Sequence, residues 1–278
     1  MGVGVISDRA PGRRRGRRRA ALGFRLLLPV LPFALVAVAW IIGSRHPPSG
    51  AWQYAVPNLG STVHSLRTDL FTGPTIWGSV LITVKEAALG LLLAAAAGIA
   101  AGVAIGLVEF LEAMFYPTIV VVQSLPFIAL APLLVIIFGA GVWPKAVLAA
   151  TLAFFPILVN VIVGMKRVRG DEIDLLRSMG ASGGQVFLKL RLPRALPSMF
   201  AGLQIAALFV ILGSVAGEIV NGSGGGASGG GLGVQLTIRE QNVDVPGAYS
   251  IIIVLALLSL AVTLGLRAMD RYLTRWTD

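Results

Sequence analysis

Asp174-Leu175-Leu176-Arg177-Ser178-Met179-Gly180-Ala181-Ser182, followed by Phe187-Leu188-Lys189-Leu190-Arg191-Leu192-Pro193, lies between the fourth and fifth apolar stretches of this chain. Its layout is that of two short helices meeting at a glycine. Ile173, Leu176 and Met179 share a face by i, i+3 spacing. Asp171, Glu172 and Asp174 fall in the first turn, where the helix dipole favours anions. Gly180 ends the first helix and Ser182 caps the second, which is expected to present Val186, Phe187 and Leu190. Pro193 and Pro197 are expected to stop that second segment and re-aim the chain. An exposed apolar face on a basic loop marks a partner surface; the alternative is a helix lying on lipid.

Working outward from this loop, the chain is built for a membrane. Hydrophobic residues make up 56% and charged residues 13%, against about 25% charged in soluble domains. There is no cysteine, so disulfides and thiolate metal sites are excluded, and the only histidines, His46 and His64, lie outside the long apolar runs. A His-based metal site or an intramembrane catalytic cluster of His or Cys is therefore not expected.

A span needs about 20 apolar residues. Six stretches qualify: roughly 24–43, 80–108, 113–138, 143–165, 197–220 and 248–267. The predicted fold is thus an all-α membrane protein of six transmembrane helices. In the second stretch Gly98, Gly102 and Gly106 repeat every four residues and line one face, which lets a neighbouring backbone approach closely. The third carries Pro117, Pro126 and Pro132 and is expected to be broken. Broken backbone at membrane depth is tolerated only against protein or a cavity, so this stretch points to the translocation route, with kinked packing as the plain alternative.

The net charge of +10 is concentrated where topology is set. Seven arginines precede residue 20, and the first apolar stretch follows at once. This reads as a basic tail touching anionic lipid rather than a nucleic-acid surface, and as an uncleaved first helix rather than a signal peptide. Eighteen of the 23 lysines and arginines fall on the N-terminal tail, the 166–196 loop and the C-terminus. The positive-inside rule makes all three cytoplasmic. The domain reading is a basic tail over 1–23, a first helix and external segment over 24–79, a core over 80–268, and a cytoplasmic tail over 269–278.

Outside, residues 44–79 carry an interfacial helix near 59–71, and 221–247 contain a glycine-rich run. No Gly-Lys-Ser/Thr follows that run, so it reads as a flexible external loop rather than a phosphate cradle. The few polar groups at membrane depth mark candidate positions on the pathway because burying them is costly: Gln123, Ser124, Asn160, Gln204, Ser214 and Glu218, with Pro126 at the break. The alternative for each is an interhelical hydrogen bond. Glu218 falls near the external end of its span, and Lys85 and Glu86 open the second span, where snorkelling is enough to explain them.

The loop resembles the EAA signature of bacterial ABC importer permeases. Asp174-Leu175-Leu176 occupies the triplet, Gly180-Ala181-Ser182 the glycine position and Leu192-Pro193 the end. The triplet departs from the pattern, with Asp for Glu and leucines for alanines. Leu125-Pro126, Ala131-Pro132, Phe138-Gly139-Ala140-Gly141, Phe154-Phe155-Pro156, Asn160, Gly164, Gly202-Leu203, Gly217-Glu218 and Gly231-Leu232-Gly233 extend the likeness over roughly 75–268. Together they are most similar to the nitrate, sulfonate, taurine and bicarbonate branch, which also takes thiamine-precursor-like heterocycles.

The resemblance implies a type I ABC importer permease of the bacterial plasma (inner) membrane. It would be a homodimer with two cytoplasmic ATPase subunits and an extracytoplasmic solute-binding protein. Asp174, Met179, Gly180, Ala181, Ser182, Phe187, Leu192 and Pro193, within 171–193, would form the coupling segment. The chain carries no ATPase motif, so ATP and Mg belong to the partner and no cofactor is expected here. The rival reading is a secondary transporter driven by an ion gradient, which calls for paired intramembrane acids and inverted halves.

Overall fold

A computed structural model describes residues 31–45, 56–222 and 230–273. The chain falls into two units, Met1–Thr62 and Val63–Asp278. In the first, α1 (Leu31–Arg45) is followed by a segment whose Pro57 carbonyl accepts a hydrogen bond from Trp40 Nε1 at 3.0 Å. Helix α2 (Leu59–Phe71) stands where the interfacial helix is predicted and runs into the second unit.

The second unit is organised around α6 (Val142–Met165), where Ala146, Leu148, Ala149, Ala153, Ile157 and Val161 are fully buried. Small residues on its neighbours explain why. Along α3 (Pro74–Leu107), Gly90, Gly98, Gly102 and Gly106 face Ala149, Ile157, Val161 and Met165 in turn. A Cβ on Gly102 would stand 2.6 Å from Val161 Cβ, closer than any real contact. Lipid supplies no hydrophobic drive between helices, so this close packing is what holds them. The contacts advance in the same direction on both helices, so α3 and α6 are parallel. On α9 (Leu192–Gly222), Gly202, Gly213 and Gly217 face Asn160, Ala149 and Lys145, so α9 runs antiparallel to α6. Helix α11 (Val245–Leu273) runs antiparallel to α9, with Gln204 Nε2 donating to Asp270 Oδ2 at 3.2 Å.

Two parallel helices require the chain between them to return from one end to the other. It does so through α4 (Glu109–Gln123), a 3₁₀ turn (Phe127–Leu130) and α5 (Ala131–Phe138). The two arms meet at 76°. Ser124 and Leu125 donate to the carbonyls three residues back, Val121 and Val122, and Pro126 has no N–H to continue the ladder. The predicted break is present and is sharp.

Among the described residues four helices are long and apolar enough to span, or five with the bent pair. The predicted sixth, 24–43, is described only from Leu31. The 15 described residues rise about 22 Å, and residues 24–30 lie outside the described residues.

One element departs from expectation. Pro193 and Pro197 do not stop a helix. A continuous helix runs from Gly183 to Asn221, 39 residues in all, comprising α8 (Gly183–Val186), a π turn (Phe187–Arg191) and α9. The wide turn, in which the Leu192 N–H donates to the Phe187 carbonyl, passes the chain into Pro193 without a conventional α turn. The predicted second short helix is therefore the end of a span.

Candidate functional site

The loop after α6 folds as α7 (Gly170–Ser178), a turn, and the start of the long helix. Asp171 and Glu172 occupy the first turn of α7, while Asp174 lies one step beyond it and is exposed. Gly180 adopts φ +82°, and the Ala181 N–H closes back onto the Leu176 carbonyl at 3.0 Å. A side chain there would be strained. Ser182 and Gln185 form a reciprocal capping box, each side chain accepting from the other's backbone N–H. Glu172 pairs with Arg194 at 3.1 Å, tying α7 to α9.

The apolar face differs from the predicted one. Val186 is buried, Phe187 packs against the core, and Leu190 is half-buried. The outward apolar groups are Leu175, Met179 and Leu188, at 63%, 76% and 62% exposure. Leu192 and Pro193 belong to the first turn of α9 and are half-buried.

The predicted pathway residues separate into three places. Gln123 and Asn160 come together on a cavity of about 370 Å³ between α4, the 3₁₀ turn, α6 and α9. Tyr116, Phe127, Phe155 and Phe209 share its wall. Pro126 stands between two lining residues, Leu125 and Phe127. Ser124 spends its hydroxyl on the Val121 carbonyl, Ser214 on the Val210 carbonyl, and Gln204 bonds Asp270 on α11, so these three lie off the cavity.

Glu218 stands elsewhere again, and it is fully buried rather than at an interface. It accepts from Thr83 Oγ1 at 2.7 Å and from the Gly233 N–H at the start of α10 (Leu232–Gln241). The Leu232 N–H donates to Thr83 Oγ1 at 2.9 Å, and Ser79 donates to the Gly230 carbonyl at 2.8 Å. The carboxylate thus sits at a helix N-terminus, the position the dipole favours. Gly231 and Gly233 have no side chain because Glu218 occupies that space. The described end of the glycine-rich run is therefore a fitted backbone seat; residues 223–229 lie outside the described residues.

Beside it, Glu86 on α3 is buried rather than snorkelling, and Lys145 on α6 reaches its Oε1 at 2.8 Å. Sequence reasoning passed over Thr83, Lys145, Tyr116, Phe127 and Phe209, and quoted Phe155 only as part of a motif. A lysine inside an apolar run was the available signal.

Residues 90–278 match the family described as "Binding-protein-dependent transport system inner membrane component". The chain belongs to this family. It is 30% identical over 253 residues to the formylaminopyrimidine transport permease protein ThiX of Halalkalibacterium halodurans, covering 91% of this chain and 97% of that one. It is 31% identical over 206 residues to the taurine transport system permease protein TauC of Escherichia coli, covering 74% and 73%. In fold it resembles a chain of the inward-facing MetNI methionine ABC transporter, with TM-score 0.58, 21% identity, and coverage of 72% of this chain and 98% of that one. As a family member the chain is a multi-pass permease subunit of an ABC importer in the inner membrane, a family that works with an ATPase and a solute-binding protein.

Proposed function

We propose that two copies of this chain form the pore of an ATP-driven importer, with an ATPase docked on each copy and a binding protein delivering a small solute from the other face. The 166–196 loop and both termini face the cytoplasm, following the distribution of lysine and arginine. The core permease domain is 80–268, preceded by the basic tail and first helix. ATP and Mg stay on the partner, and this chain binds no cofactor.

The observation that carries the coupling role is the connection of the turn at Gly180 to a single 39-residue helix. Leu175, Met179 and Leu188 offer the partner an apolar contact beside Gly180, Ala181 and Ser182, with Asp174 on the same exposed helix. Phe187, Leu192 and Pro193 anchor the start of the long helix, so displacement of the turn is carried into the membrane as a rigid-body tilt. The Glu172–Arg194 pair moves with it. Solute passes by Gln123, Pro126 and Asn160. Gln204 and Glu218 tie neighbouring helices together instead, and the hydroxyls of Ser124 and Ser214 are spent on carbonyls of their own helices.

The test is Gly180→Arg in the assembled importer. Insertion is expected to persist while ATP-driven uptake is lost; retained uptake would remove the coupling role. A reporter active only outside the cytoplasm, fused near residue 180, should stay silent. Co-purification of an ATPase should be lost when Leu175 and Met179 are both changed to Asp.

The relatives divide by solute into two chemistries. Formylaminopyrimidine and riboflavin are named for two of them, and sulfonates, taurine and nitrate for others.

A further inference from the structure

Resting on that importer reading, we infer that the cavity between α4, α6 and α9 takes a flat, uncharged, ring-shaped solute and not an oxyanion. Among the described residues its wall contains no lysine, arginine or histidine. An anion leaving water needs a cation or converging N–H groups, and without them desolvation goes unrecovered. Basic groups outside the wall are committed or elsewhere: Lys166, on the adjoining cavity that shares Tyr116, pairs with Glu112 at 2.8 Å, Lys145 is paired with Glu86, and Lys85 is exposed and not part of the wall. Asn160 Nδ2 gives one of its two N–H groups to the Pro156 carbonyl at 2.8 Å, and its oxygen stays available as an acceptor.

What the cavity does provide is aromatic surface held in place. Phe127 and Phe155 stack with centroids 5.5 Å apart and 24° between planes. Phe154 buttresses Phe155 edge-on at 5.1 Å and 83°. Phe155 and Phe154 pack in turn against the cluster of Ile119, Leu158 and Ile162. Across this wall the Asn160 oxygen accepts, and the Gln123 amide, with no hydrogen-bond partner among the described residues, both donates and accepts. A ring with amino or ring N–H groups on one edge and acceptor nitrogens on the other satisfies both amides while stacking on the phenyl faces. The size suits a small heterocycle, within the roughly 300–1,000 Å³ of ordinary ligand pockets.

The experiment is uptake into proteoliposomes holding the complete importer with ATP. Each binding protein of the relatives above is supplied in turn with its radiolabelled solute: formylaminopyrimidine, riboflavin, taurine or nitrate. Accumulation of a heterocycle at least tenfold above taurine and nitrate is expected. Phe155→Leu, which keeps apolar bulk without the π face, should lower that uptake about tenfold, the order of one lost stacking contact. Phe155→Tyr, which keeps the ring, should retain more than Phe155→Leu does. Asn160→Leu should lower uptake as well.

Accumulation of taurine or nitrate would overturn the solute class and leave the importer reading standing. Failure of both heterocycles to accumulate also overturns it, as does equal uptake by Phe155→Leu and Phe155→Tyr. Failure of the importer reading itself registers separately, as no ATPase binding to the chain.

Discussion

Lys145 Nζ lies 2.8 Å from Glu86 Oε1, joining α6 to α3 inside the bundle, with both side chains about nine-tenths buried or more. The other Glu86 oxygen, Oε2, is buried without a hydrogen-bond partner. Such a pair is retained because either member alone would be an uncompensated buried charge.

Lys145→Met is therefore expected to destabilise the protein by roughly 3 kcal/mol or more. The double variant Glu86→Gln, Lys145→Met, which removes both charges, should recover most of that loss. Thermal unfolding in detergent, arranged as a double-mutant cycle, measures the coupling. Additive effects would show that the pair contributes nothing.

Close helix approach makes a second prediction. Gly102→Leu forces a side chain into Val161 and should lower the yield of folded protein, with an overpacking cost of about 1–3 kcal/mol or more. Gly78→Leu meets nothing within 4 Å at its Cβ and should be tolerated. Size-exclusion profiles of the two variants in detergent distinguish them.

The junction between α10 and α11 should respond to acid. Burial alone would raise the Asp244 pKa. Hydrogen bonds from Arg239 at 2.6 Å and from the Gly247 N–H, with the Arg239 charge, hold it below the usual aspartate range instead. A depressed native pKa means the stabilisation is complete above the unfolded value of about 3.9 and is lost as pH falls through the native one. Arg239 also bonds Asp69 at 2.7 Å, and Asp69 accepts from Ser250. Protection factors for amide exchange over 232–250, corrected for the intrinsic pH dependence, should be flat from pH 7 to about 5 and fall below about 4. Asp244→Asn should lower the protection factors at neutral pH and flatten their acid dependence.

Val243 closes α10 with φ +56°, a left-handed conformation that a β-branched residue adopts only under strain. It is largely exposed, so nothing is lost by removing its side chain. Val243→Gly is expected to stabilise the protein by about 1 kcal/mol, read as a rise in Tm.

Several features were legible in the chain because they depend on near neighbours. The helix over 171–178, its stop at Gly180, and the Ser182 cap are set by spacing within one or two turns. The break at Pro126 follows from a missing N–H. The glycines at four-residue intervals announced a contact face, though not the helix that would meet it. Pro193 was misread because the π turn before it accommodates a residue that normally starts or breaks a helix. Val186 and Phe187 were misread for a related reason: once that segment continues as a span, its register turns them inward.

What the sequence determined alone is therefore the membrane class, the face of close approach, and the capped turn after α6. The tertiary structure decided which distant residues meet. Lys145 finds Glu86, Glu218 finds the backbone of Gly233, and Gln123 joins Asn160 and four aromatic rings around one cavity. Local spacing places a side chain on a face of its own helix. Its partner depends on the rotation and direction of the neighbouring helices, fixed here by the parallel packing of α3 on α6 and the antiparallel packing of α9 on the same helix.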